Sequence, residues 1–227
     1  AGLILAILFL APLLWTAVTS IKPPAEASAA PPTGLPSRVD WSNYQTLTTY
    51  GEGIISYLLN SIVVSLITIT GTLVIGTLAG YGFSRFRFHL KGTLFLVILA
   101  TLMVPFQSIV IPLFVVLKNL GLTNSLLGVG LVYITLQLPF SIFVMRNAFD
   151  RVPRELEESA LVDGCTQPRM LGSVMLPLVM PGLVTIGLFA FLAAWNEFFA
   201  ALILLTKQTS FTLPILLLSA RQDDVSG

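Results

Sequence analysis

The sequence predicts an all-α integral membrane protein built as a polytopic helix bundle, on three observations. First, 55% of its 227 residues are hydrophobic and only 10% are charged, against about 25% charged in soluble domains. A soluble fold of this size has too little interior to hide that much apolar surface. Second, the apolar residues fall into windows of about 20, the length a helix needs to cross the hydrocarbon core. Third, the one long polar and acidic stretch, residues 150–180, is set between two such windows. A net charge of +1 gives no bulk field for nucleic acid. The single cysteine, Cys165, excludes an internal disulfide or a cysteine metal cluster. The single histidine, His89, has no ligand partners in sequence, so neither a metal nor a cofactor is expected.

Five windows qualify as spans: Gly2 to about Ser20, about Ile54 to Phe83, Thr93 to Leu117, about Ser125 to Met145, and about Gly182 to Leu205. The run Leu213 to Leu218 is too brief to cross. This divides the chain into a first transmembrane helix (1–21), an extracytoplasmic Pro-rich segment (22–53) and a core (54–227) that carries the loop at 150–180. Ala1 follows no methionine and no basic residue, so 1–21 reads as a true span lacking its cytoplasmic lead-in rather than as a signal peptide. Orientation follows the Lys and Arg residues of the loops. Arg85, Arg87, Lys91, Arg146, Arg151, Arg154 and Arg169 lie on one side, with three of them crowded into a short turn. Lys22, Arg38, Lys118, Lys207 and Arg221 are spread over the other. The first group is placed in the cytoplasm, with the N-terminus and the 150–180 loop. Five crossings then leave the polar end RQDDVSG outside, and a sixth span is expected beyond Gly227.

Within the spans, Thr72, Gly76 and Gly80 put a small residue at every fourth position, on one helix face where backbones can approach closely. Pro105, Gln107 and Pro112 in the third window, and Gln137 and Pro139 in the fourth, combine prolines with polar side chains. Prolines free carbonyls that must find partners in the bundle or in a wet cavity. The fifth window holds Trp195, Asn196 and Glu197, the only acid within a predicted span. Such an acid faces a cavity or bonds to another helix. Gln107, Gln137, Asn196 and Glu197 are therefore the candidate lining of a translocation path, with packing and interhelical hydrogen bonding as the structural alternative.

The loop reads as helix, glycine turn, helix, proline elbow. Pro153 suits a first turn. Glu155, Glu157 and Glu158 sit near the positive end of the helix dipole, and Arg154 and Glu158 are spaced to pair across a turn. Gly164 suits a left-handed stop. Thr166 or Gln167 then caps a second helix with Pro168 in its first turn, and Pro177 and Pro181 break the chain before the last window. Helices that lie on membranes favour Lys and Arg, so an acidic one argues for a protein partner.

The order Glu158-Ser159-Ala160, then Asp163-Gly164, then Val174-x-Leu176-Pro177 resembles the EAA signature of ABC importer permeases, with Ser159 and Val174 as mild departures and Cys165 where alanine is usual. Ser20-Ile21-Lys22-Pro23, Asn43-Tyr44, Asn60-Ser61, the run from Tyr81 to Phe86, the Pro105 and Pro112 pair, and Trp195-Asn196-Glu197-Phe198 are similar to the carbohydrate-uptake, maltose-transporter-like branch. The resemblance implies a type I importer permease that forms half of a pore with a second, related permease. It also implies two ATP-binding cassette ATPase subunits docked on the loop through Glu158, Ser159, Ala160, Asp163, Gly164 and Pro177, and an extracytoplasmic solute-binding protein that delivers sugar. The chain carries no phosphate-binding Gly-x-x-x-x-Gly-Lys-Ser/Thr loop of its own, so it reads as a pore subunit and not an enzyme. The alternatives are a gradient-driven secondary transporter, for which paired intramembrane acids are lacking, and an ABC permease for another solute such as glycerol phosphate or a polyol. A membrane enzyme or a mere anchor for a soluble partner fits less well.

Overall fold

The structure, a computed structural model, describes residues 2–226; the side chains of 3–6 and 221–226 lie outside the described set. Every regular element among the described residues is a helix. The chain divides into two units, Ala1–Ser56 and Tyr57–Gly227.

The first unit holds α1 (Gly2–Ser20), α2 (Pro24–Ala27) and α3 (Ser42–Thr49). Polar bonds rather than apolar packing hold its turns. Lys22 is 1% exposed, donates to the Thr33 carbonyl and lies 4.8 Å from the Trp15 ring. Asn43 Nδ2 donates to the carbonyls of Ser20 (3.1 Å) and Lys22 (3.0 Å), and the Tyr44 hydroxyl lies 2.7 Å from Ser20 Oγ. The Ser20–Pro23 and Asn43–Tyr44 motifs are thus two halves of one clasp. Asp40 accepts the Ser42 backbone N–H at 2.9 Å ahead of α3, and that bond holds its carboxyl below the usual carboxylate range. The side chain of Glu26 is lowered likewise by its bonds to Ser37.

The second unit is organised by two long helices, α4 (Ile54–Arg85), which begins just before the unit boundary, and α7 (Leu126–Asp150). At 1.5 Å per residue, both exceed the ~30 Å hydrocarbon thickness. Ser125 caps α7 by accepting from Gly128 N. The small-residue face of α4 packs on α7: a Cβ added at Gly76 would fall 2.9 Å from Ser141 Cβ, and one at Gly80 would fall 2.5 Å from Met145 Cβ and 2.9 Å from the Arg146 backbone nitrogen. Thr72 on the same face is fully buried.

The other expected spans are broken. In place of one helix over 93–117 are α5 (Lys91–Ala100), extended by a 3-10 turn to Met103, and α6 (Phe106–Asn119), bent by 105°. Val104 is extended (φ −82°, ψ 116°), the conformation that the ring of Pro105 favours in the residue before it. The loop then supplies α8 (Arg154–Val162), α9 (Gln167–Met170), a π turn over Leu171–Met175 and α10 (Leu176–Leu178). An 82° bend at Val179, between Pro177 and Pro181, leads into α11 (Met180–Asn196). Glu197 is again extended (φ −73°, ψ 125°), and α12 (Phe199–Leu204) and α13 (Leu213–Ser226) follow. The polar end expected as a tail continues the backbone helix of α13.

Among the described residues two helices are long and apolar enough to cross a membrane, and four spans result if each bent pair counts as one. This corrects the expected five. The third window is bent sharply and the fifth ends at Glu197, while the first falls partly on side chains outside the described set.

Gly80→Ala forces Met145 or the α7 backbone to move. It is expected to cost about 1–3 kcal/mol, the range for overpacking a filled contact, while Gly92→Ala, with nothing within 4 Å of its added Cβ, should be silent. Thermal unfolding of both variants in detergent checks this; equal midpoints would show that the close approach is not limiting.

Candidate functional site

The acidic loop folds as a two-faced element. Helix α8 starts after Pro153, whose φ of −57° and ψ of 140° turn the chain into the helix. It stops where Gly164 takes φ +80°, a conformation that costs a side chain-bearing residue more than glycine. There Gly164 N donates to Leu161 O and Cys165 N to Ala160 O, each at 3.0 Å, closing the carbonyls of the last turn. Glu155, Glu158, Ser159, Val162 and Asp163 face outward and line a shallow groove of about 380 Å³. Val162 is 87% exposed in it. Ala160 turns inward and packs with Phe149, Met170, Met175 and Val179. Of the six expected coupling residues, four therefore sit at the outer face or the turn, Ala160 anchors the helix from within, and Pro177 lies on the elbow.

The inward face also carries a charge whose partner the sequence did not reveal. Glu157 pairs through Oε1 with Arg85 Nε at the end of α4, their side chains 13% and 7% exposed. Arg85 Nη2 also donates to Val152 O at 2.7 Å. Arg154 and Glu158, spaced for an i,i+4 pair, do not form one among the described residues. Glu157 lies three residues before Ala160, hence on the same helix face; that spacing was the one available signal.

The second candidate region is where the broken helices meet. The rings of Phe106, just after the Pro105 break, and Phe199, just after the Glu197 break, stand edge to face at 6.2 Å. Glu197 caps the new helix: its carboxylate accepts from Ala200 N (3.0 Å) and Ala201 N (3.3 Å), and from the buried Tyr133 hydroxyl of α7 (2.6 Å). Its side chain thus bridges two helices. Asn196 is exposed and donates to its own helix at Leu192 O (2.8 Å). Gln107 is exposed and Gln137 half-buried. None of these four residues lines either of two larger cavities, of about 780 and 810 Å³. Tyr133, the partner that makes Glu197 legible, gave no sequence signal beyond being an aromatic in a span.

Tyr133→Phe is expected to cost about 1 kcal/mol, the scale of an interhelical hydrogen bond in a membrane. Glu197→Ala should cost more, because the α12 amides lose their acceptor as well. Detergent-titration unfolding of both variants measures this, and a Tyr133→Phe protein as stable as its parent would show the bond to be idle.

Residues 72–225 match the family model described as the binding-protein-dependent transport system inner membrane component. Over 208 residues the chain is 32% identical to the diacetylchitobiose uptake system permease protein DasC of Streptomyces coelicolor, covering 92% of this chain and 75% of that one. It is 35% identical over 206 residues to the trehalose transport system permease protein SugB of Mycobacterium tuberculosis, covering 91% and 74%. The fold matches the crystal structure of a bacterial ABC transporter involved in the import of the acidic polysaccharide alginate, with a TM-score of 0.83, 26% identity, and coverage of 94% of this chain and 75% of that one. The α4–α7 core, the capped EAA-like loop and these similarities together show that the chain belongs to the binding-protein-dependent inner-membrane components, the multi-pass, non-catalytic permease subunits of ABC importers.

Proposed function

We propose that this permease carries a sugar or short oligosaccharide inward and forms half of a pore with a second, related permease. An extracytoplasmic solute-binding protein delivers the solute, and two ATP-binding cassette ATPases supply the energy from the cytoplasm. The observation that carries the solute class is the agreement of separate relatives: their names give diacetylchitobiose, trehalose and sulfoquinovosyl glycerol as cargo, and the fold match is to an alginate importer. The N-terminus and α8 lie on the cytoplasmic side, as the crowding of Arg85, Arg87 and Lys91 in one turn suggests. In this reading 1–21 is the first membrane helix, 22–53 the outer segment that meets the delivery protein, and 54–227 the core.

The outer face of α8 is where an ATPase docks, with Glu158, Ser159 and Asp163 presenting acceptors and Val162 an apolar knob. Gly164 and Pro177 set the direction of the chain on either side of the second loop helix. Gln107, Gln137, Asn196 and Glu197 mark the part of the bundle where helices are interrupted. Irregular backbone at membrane depth is tolerated where it is buried in protein or lines a cavity. Glu197 in this arrangement shapes the path by holding α12 in place.

Recovery of the chain from its native membrane in mild detergent, with uptake of radiolabelled trehalose, diacetylchitobiose and an alginate oligosaccharide, tests the assignment. A co-recovered P-loop ATPase, a second permease and ATP-dependent uptake of at least one of these sugars are expected. Uptake abolished by collapsing the ion gradient but not by depleting ATP would instead identify a secondary transporter. Glu158→Lys reverses the charge at the centre of the acidic docking face and is expected to lower ATPase co-recovery at least ~tenfold without affecting membrane insertion. Undiminished co-recovery would remove Glu158 from the docking face.

A further inference from the structure

The exposed face of α8 accounts for docking but not for how a push on that face reaches the membrane helices. Of the α8 side chains outside the groove, Ala160 and Glu157 face the core and Leu156 lines a separate cavity with residues of α7 and α11; Ala160 is too small to hold a helix in register, and Glu157 makes the only ion pair of α8 among the described residues. Glu157 meets Arg85, and the same guanidinium reaches the Val152 carbonyl in the α7–α8 connection (2.7 Å). Around this pair the end of α4 is fastened further. Ser84 Oγ donates to Asp150 Oδ1 of α7 at 2.6 Å, and Lys91 Nζ donates to the carbonyls of Ser84 (3.2 Å) and Phe86 (3.1 Å); within α7, Arg146 Nε lies 3.6 Å from Asp150 Oδ2. One turn deeper, Gly80 brings the backbones of α4 and α7 into contact.

A buried ion pair is a poor device for stability alone, because its desolvation cost is comparable to what the two charges regain, and an apolar pair of similar volume often does as well. What it provides is a close charge contact between two fixed points. The Arg85–Glu157 pair joins the end of one membrane helix to the middle of a nine-residue loop helix, on the face opposite the groove.

We propose that Arg85 and Glu157 are a positioning pair that locks α8 to α4, so that ATPase-driven movement of α8 enters the bundle through α4 and α7 as one rigid body. Bending is then left to the interruptions at Val104–Pro105, Val179 and Glu197. This rests on the reading that an ATPase docks on α8.

The test uses the assembled transporter in proteoliposomes and the sugar panel above. Glu157→Gln is expected to keep ATPase co-recovery at the parental level while lowering uptake about tenfold, within the range usual for coupling between sites. The decisive variant is Arg85→Cys with Glu157→Cys, in a Cys165→Ser parent. Uptake should fall in the double-cysteine protein and return when a bifunctional thiol reagent bridges the two positions. A merely structural pair would not show recovery on cross-linking at constant protein level. Parental uptake by Glu157→Gln, or cross-linked protein that docks its ATPase but stays inactive, would overturn the proposal. Loss of ATPase co-recovery in Glu157→Gln would overturn it too, by placing Glu157 in the docking contact. A parental complex that holds no ATPase would overturn the importer reading and the pair's role together, and is distinguished by the parent's own failure.

Discussion

The contact between α4 and α7 at Gly76 and Gly80 is the constraint from which the rest of the core follows. Within lipid there is no hydrophobic drive to bring two helices together, so close backbone approach and dispersion must supply it. Glycines set against Ser141, Met145 and Arg146 permit that approach only in one register. Once α7 is placed, α11 packs on it through Gly182 against Ala148, and the inner face of α8 closes over Phe149 and Met145 in the same apolar cluster. The long helices form the frame, and every interrupted element leans on it.

The interruptions obey a second constraint: a backbone group freed at membrane depth must find a partner. At α12 the partner is the carboxylate of Glu197, fixed in turn by Tyr133 from the frame helix. At the far end of the unit, Asn60 donates to the carbonyls of Thr209 and Phe211, Ser61 accepts from Leu213 N, and Asn124 accepts from Thr206 and Lys207 while its own backbone sits at φ 55°. Single polar side chains thus stand in for missing helical turns. A pore built this way has rigid long helices and short segments whose direction depends on one or two hydrogen bonds each.

The loop helix presents two unlike faces. Its outer residues are acceptors and an exposed valine that line a shallow groove. Its inner residues, Ala160 and Glu157, belong to the core of this chain. The division follows the helical period: Glu155, Glu158, Ser159 and Val162 fall on one side, Glu157 and Ala160 on the other.

Much of this was legible in the residues. Composition and window length gave the membrane class, the spacing of Thr72, Gly76 and Gly80 gave the packed face, and Pro153, Gly164 and Pro177 gave the order of the loop, because each depends on local chemistry and helical period. The breaks were not legible. Pro112 and Pro139 ride inside continuous helices while Pro105 ends one, and Glu197 ends another with no proline at all, because a break persists only where neighbours satisfy the freed groups. Nor could the sequence pair Arg85 with Glu157 or Tyr133 with Glu197, residues 72 and 64 positions apart. Sequence by itself determined what each segment could be, since hydropathy and backbone preference act locally. Tertiary structure decided which breaks were kept and which charges met, since a buried polar group is tolerated only beside a partner that the fold supplies.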